Sequence, residues 1–178
     1  MELIIKDTVT AVLEKLGAKL KHPKPILEAA GFAVANLAKA SFGDPSVRAE
    51  TWAPLSKFTL AQKMAEDTSS SILRRHGQLA KSFRITGIGD DFVRVGTDRP
   101  HAHVHQFGMV IRAKSALRGL VFRAGHFGLI KLQSVTIPMR PMLPLIGSRE
   151  SFSLTPLAVR NVVSAAKAEL ARILGSST

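Results

Sequence analysis

Three histidines stand at alternate positions, His101, His103 and His105, and a trio of imidazoles is the first requirement of a zinc-assisted hydrolase. Alternate spacing puts them on one face only in a strand; on a helix each step of two residues swings the side chain by roughly 200°. Asp98 is the closest acid in sequence, so no carboxylate is close at hand to orient a ligating imidazole. The competing reading is a polar helix edge with one histidine hydrogen-bonded to backbone. Arg140 offers a different chemistry. It lies between Pro138 and Pro141, whose rings hold φ at about −65°, so its guanidinium gives up less freedom on docking. A planar fork in that setting suits bidentate recognition of a carboxylate, within the chain or across a subunit boundary.

The other catalytic patterns are missing. No G-x-S-x-G elbow presents a serine nucleophile, and no P-loop cradles a phosphate. The stretch Gly87-Ile-Gly-Asp90 lacks the third glycine of a dinucleotide fingerprint and reads as a turn. Asp90 and Asp91 are adjacent, and neighbours on a strand point to opposite faces, so they form a poor acid–base couple. With no cysteine in the chain, thiolate catalysis, disulfides and cysteine-ligated metals are excluded. The expectation is a protein that works by contact rather than by catalysis.

Charge says what kind of contact. Lysine and arginine number 25 against 13 acids, a net charge of +12, and the pI is about 10.8. Such a balance points to an acidic protein surface, nucleic acid or an anionic membrane. The cations are spread along the chain, without the run that marks a basic tail. Tyrosine is absent and Trp52 is the single tryptophan, so a base-stacking platform would rest on phenylalanine alone. An acidic protein partner therefore ranks first, and DNA binding is the alternative. An apolar share of 46% in 178 residues sustains one domain with a real core. No apolar run approaches the roughly 18 residues of a spanning helix, and the N-terminus carries acids early, so neither a membrane span nor a signal peptide is expected. The absence of cysteine fits folding in a reducing cytosol.

The elements that must position these residues follow from spacing. From Ile5, apolar residues Val9, Val12, Leu13, Leu16 and Leu20 recur at helical intervals, with Pro23 and Pro25 as the stop. Pro25 then suits the first turn of a second helix, with Leu27, Ala30, Val34, Leu37 and Ala38 as its buried stripe and Gly43-Asp-Pro45 as its end. Residues 44–58 read as a loop in which Trp52 either plugs the core edge or anchors an interface. Thr59 to Gln62 matches a capping box, and Ser69 to His76 is a further helical candidate stopped by Gly77. Lys81–Thr86 and Phe92–Gly96 alternate apolar with polar about Gly87–Asp91, the signal of a hairpin, with Phe83 and Ile85 facing the same way as Val93 and Val95. Arg84 and Arg94 are left to solvent or a neighbour.

A short helix carries the histidines and stops at Gly108, where glycine accepts a positive φ. Residues 109–136 suggest a long β-ribbon or extended arm, with Leu120–Phe122 and Leu129–Leu132 about the turn Gly125–Gly128. Between His101 and Arg149 there is no carboxylate, while Arg112, Lys114, Arg118, Arg123 and Lys131 are all in that span. Pro138, Pro141 and Pro144 then exclude a helix interior and a central strand. A polar link, Gly147–Ser151, leads to the best-defined helix, capped by Thr155 and opened by Pro156. Val159, Val162, Val163, Ala166, Leu170 and Ile173 line one of its faces, and Gly175 ends it.

The ordered set Trp52-x-Pro-Leu, Ile72-Leu with Gly77-x-Leu79 and Ser82, Val95-Gly-Thr97, His105-Gln-Phe-Gly108 and Ile137-Pro-x-Arg-Pro-x-Leu143 resembles the phage virion morphogenesis family. These are tail-completion or neck proteins of Mu-like and P2-like tailed phages. His101 departs from the pattern, standing where an aromatic is expected, and the basic stretch between Gly108 and Ile137 is long. The resemblance implies an α+β fold: a small antiparallel sheet with flanking helices, to which the residues add an extended β-arm and a long C-terminal helix. It implies a single domain over 1–178, no enzyme activity and no cofactor. It further implies a ring of identical copies, expected to be hexameric, at the head–tail junction of the virion after assembly in the host cytoplasm. The expected partners are connector or head-completion proteins and tail proteins, with non-specific contact to DNA in the lumen and no membrane; a basic DNA-binding protein of packaging or replication is the alternative. Subunit or partner contacts are expected at Trp52, His105, Gln106, Phe107, Arg112, Arg118, Arg123, Lys131, Pro138, Arg140 and Pro141.

Overall fold

The computed structural model describes residues 2–5, 23–66, 71–115, 118–123, 128–148 and 151–175. In chain order the elements are β1 (Glu2–Ile5), α1 (Lys24–Ala40), a 3-10 turn (Pro45–Val47), α2 (Lys57–Ala65), α3 (Gln78–Lys81), β2 (Arg84–Ile88), β3 (Val93–Gly96), α4 (His101–Phe107), β4 (Met109–Arg112), β5 (Leu120–Arg123), β6 (Leu129–Leu132), β7 (Ser134–Ile137), β8 (Leu145–Ser148), β9 (Ser151–Leu154) and α5 (Pro156–Gly175). The fold is α+β. An antiparallel sheet of order β1-β3-β2 carries α1, and α1 also packs against α5.

The stripe Leu27, Ala30, Val34, Leu37 and Ala38 is buried, with Ile26 and Ala35 beside it. Spacing of three and four turns these residues to one side, and Pro25 sits in the first turn, where its missing N–H costs nothing. The helix lies so close to the sheet that a Cβ on Gly31 would come within 2.6 Å of Val93 Cγ2. Only glycine fits there. On α5, Thr155 Oγ1 accepts from Ala158 N–H at 3.2 Å, and Ala158, Val162 and Ala166 are buried. Phe42 bridges the core, edge-on to Trp52 at 5.6 Å and tilted against Phe83 at 6.1 Å.

The hairpin forms with Ile85 opposite Val95 and Ile88 opposite Val93, and a register shift between Ile85 and Gly87. Phe83, Val93 and Val95 are buried as expected, with Ile85 half-buried. The turn is tighter than the sequence suggests. Gly87 belongs to β2, and the chain reverses over Gly89–Phe92, where Gly89 N–H donates to Phe92 O at 2.9 Å. Arg84 reaches Asp98 at 3.3 Å, and the Arg94 guanidinium covers the Phe92 ring at 4.9 Å.

Four expectations are corrected. Ile5 is in strand β1, paired with Val93, so no helix begins there; the remaining positions of that stripe, Val9 to Leu20, lie outside the described residues. The cap of α2 is Ser56 rather than Thr59: Ser56 Oγ accepts from Thr59 N–H at 3.1 Å, which places Thr59 inside the first turn. Residues 71–76 are turns and bends rather than helix, and Gly77, with φ of 70°, opens α3 instead of closing a helix before it. The polar link at Gly147 is a second hairpin: Leu145 pairs with Leu154 and Gly147 with Phe152, short strands held beside the start of α5.

After Gly108 (φ of 66°) the chain forms a long two-stranded ribbon in two ladders. Met109 pairs with Ile137 and Arg112 with Ser134; farther out, Leu120 pairs with Leu132 and Arg123 with Leu129. The expected turn at 125–127 lies outside the described residues. Directly opposed residues share a face. One face of the outer ladder is therefore Leu120, Phe122, Ile130 and Leu132, and one face of the inner ladder is Met109, Ile111, Val135 and Ile137. Both are wholly apolar. The apolar positions go 130, 132, then 135, 137, and the odd step falls at Gln133, where a bend interrupts the strand.

Candidate interaction site

The proline-rich stretch 138–144 has neither helix nor strand, as its prolines require, yet most of it is buried. A buried irregular segment must have its polar backbone satisfied from elsewhere. Here α4, the Trp52 loop and α1 supply the partners. Gln106, 3% exposed, turns its side-chain oxygen to the N–H groups of Met142 at 2.9 Å and Leu143 at 3.0 Å. The Trp52 indole donates to Pro141 O at 2.8 Å, and Ser41 Oγ reaches Met142 O at 3.3 Å. Arg140 N–H donates to His105 O at 2.7 Å. The Arg140 fork donates to Ala53 O and Pro54 O, each at 2.8 Å. The recognised group is thus a pair of backbone carbonyls in the same chain, not a carboxylate.

Trp52, His105, Gln106, Pro138, Arg140 and Pro141 are accordingly brought together, and much of their bonding capacity is spent inside the protomer. Trp52 is 4% exposed, and Arg48 lies over its ring at 4.1 Å. Phe107 stacks toward His103 at 5.1 Å and toward Phe152 of the second hairpin at 5.6 Å. Arg112, Arg118 and Lys131 are apart from this hub, exposed on the ribbon, while Arg123 is in β5 with its side chain outside the described atoms. Apolar neighbours share that exposure: Val121 is 58% exposed and Leu129 71%.

The histidines do not form a metal set. His101 and His105 are one turn apart with ring centroids at 6.3 Å, His103 points toward Phe107, and no group of three metal-ligating side chains occurs among the described residues. His105 is pushed down to about 4, first by burial, then by the charges of Arg140 and His101. It is neutral at pH 7, and its buried Nδ1 makes no hydrogen bond.

Beside the hub, between α2, α4 and the base of the ribbon, lies a cleft of about 660 Å³. Its apolar wall includes Leu55, Leu73, Leu79, Val135 and Ile137, and its polar side chains include Lys63, Arg74, Arg75, His101, His105 and Arg140. Sequence reasoning did not find this cleft. Its polar side chains come from four separate segments, so no local pattern marks it.

The sequence pattern of the phage virion morphogenesis family matches residues 5–165. The chain belongs to that family. Comparisons with curated proteins and with solved structures return no match. Membership of the virion morphogenesis family gives the chain a part in phage virion structure or assembly and associates it with the particle. No helix among the described residues is long and apolar enough to cross a membrane.

Proposed function

We propose that this virion morphogenesis protein is a neck or tail-completion protein, forming a ring of identical copies that completes the tail or stabilises its join to the head. The observation that carries the reading is the ribbon. A two-stranded ribbon is marginal by itself in water. This one has a wholly apolar face in each ladder, with Phe122, Leu132, Met109 and Ile111 exposed. Such a surface requires a cover, and in a ring the cover is a different patch on the next copy. The hub below it is rigid, so the ribbon is held at its base before docking, which reduces the entropy cost of association. The cations along the ribbon, with no carboxylate from His101 to Arg149, suit an acidic connector or tail surface and the DNA of the lumen.

The experiment is replacement of residues 112–131 by a short Gly-Ser turn. The shortened protein should fold and melt cooperatively, run as a monomer where the full chain forms a ring, and fail to join heads to tails. Normal virion yield from the shortened gene would remove the reading.

A further inference from the structure

We propose that the cleft beside the proline hub receives an extended, acidic segment of another protein, which adds a strand to the open edge of β7. The placement of β7 is the first ground. Its pairing partner is β4, so among the described residues its opposite edge carries no strand. Ala113 N–H donates to Gln133 O at 2.8 Å, which makes that opposed pair a hydrogen-bonded one. In an antiparallel ladder such pairs alternate, so Val135 and Ile137 bond to β4 while Ser134 and Thr136 turn N–H and C=O outward. Val135, Thr136 and Ile137 all line the cleft. Successive side chains point to opposite faces, so three in a row border one cavity when the cavity runs along the strand's edge. An exposed edge of this kind is a template for an added strand.

Charge supplies the occupant's chemistry. Lys63, Arg74, Arg75 and Arg140 line the cleft, and among the described residues no carboxylate does. Glu66 answers Arg75, accepting from Nε and Nη2 with its two carboxylate oxygens. Arg140 donates to neutral carbonyls, so its charge is uncompensated by those bonds. Arg74 forms no ion pair among the described residues. The apolar wall supplies sites for alternate side chains of the incoming strand. Leu73 in that wall has φ of 57°, the one left-handed non-glycine among the described residues, a strained conformation of the kind that clusters at binding sites. The ribbon of a second copy does not fit the cleft, because it is itself cationic and has no carboxylate. DNA has no strand to pair with β7. The inference therefore goes beyond the ring reading and uses a different surface from the ribbon's outer apolar face.

The probe is a fluorescein-labelled peptide of alternating glutamate and valine, titrated with the full chain and followed by anisotropy, with a lysine–valine peptide and a short DNA duplex as controls. The glutamate peptide should bind saturably and slow hydrogen exchange at the Thr136 amide, while the lysine peptide stays free. Thr136→Pro removes an N–H that the β4–β7 ladder does not use, so the fold should persist while peptide affinity falls about tenfold. Arg74→Glu should weaken the peptide by a similar factor. No binding, or equal binding by Thr136→Pro, overturns the proposal. Duplex DNA displacing the peptide from both proteins would assign the cleft to phosphate backbone instead. If Arg74→Glu splits an oligomer while the peptide never binds, the occupant is a second copy, and the proposal again fails.

Discussion

Gln106 and Leu143 are 37 positions apart in sequence and 3.0 Å apart in space, side-chain oxygen to backbone nitrogen. The same oxygen serves Met142, so one amide on a seven-residue helix holds the backbone of the proline segment. Replacing Gln106 with alanine orphans two buried N–H groups, and each orphan costs about 1–3 kcal/mol. Urea unfolding of Gln106→Ala should show a loss of about 2–4 kcal/mol with an unchanged slope. Gln106→Glu keeps the acceptor and should recover part of that loss at neutral pH.

Arg140 and Trp52 are coupled through the same loop. The guanidinium holds Ala53 and Pro54 by their carbonyls, and the neighbouring indole binds Pro141. Lysine keeps the charge but not the planar fork. Arg140→Lys should cost about 1–2 kcal/mol. Because Trp52 is the single tryptophan, its emission reports the loop directly, and a red shift in the folded variant is the expected signature. A spectrum identical to that of the parent would show that the fork does not seat the ring.

His105 gives the fold a pH dependence with a definite sign. Its pKa in the fold, about 4, lies below the ordinary value of 6.5, so the unfolded chain binds the proton first. Stability contributed by the neutral ring is intact above about pH 6.5 and falls as pH drops toward 4. Discounted for the water that reaches the ring, the loss is about 1–2 kcal/mol. Melting temperature followed from pH 7 to pH 4 should fall less steeply for His105→Gln than for the parent.

The ribbon and the body answer separately to mutation. Phe122→Asp alters an exposed face, so protomer stability should move by less than about 0.5 kcal/mol, whereas the proposed ring should no longer form in light-scattering measurements. Gly31→Ala does the reverse. It drives a methyl group into Val93 and Ile85 and should cost about 1–3 kcal/mol in denaturant while leaving the size of the proposed ring unchanged.

Much of this architecture is legible in the chain itself. The α1 and α5 stripes have helical spacing, α1 opens with Pro25 in its first turn and α5 with the Thr155 cap, and tertiary packing reinforces both. The hairpin at Phe83–Val95 follows from alternation, and the ribbon at Leu120–Leu132 from two apolar runs about a glycine-bounded turn. Misreadings arise where two local signals compete. Ser56 and Thr59 are both hydroxyl caps three residues apart, and the extended backbone of Ser56 decides between them. Gly77 has the left-handed φ that could end a helix, and here it precedes one because Leu79 is drawn into the core. The strands at Leu145 and Phe152 are short and flank polar residues, so their pairing depends on the packed loop beside them. The cleft has no sequence signature, since Lys63, Arg74 and Thr136 become neighbours only through the fold.

The greasy side of the ribbon has a cost before assembly: any two free copies could stick by it, edge to edge, and precipitate. Arg112, Lys114, Arg118 and Lys131 on the same ribbon oppose that encounter, because like charges keep the copies apart in solution. Salt shortens the reach of this repulsion. The protein should therefore stay clear in dilute buffer and turn cloudy as sodium chloride is raised.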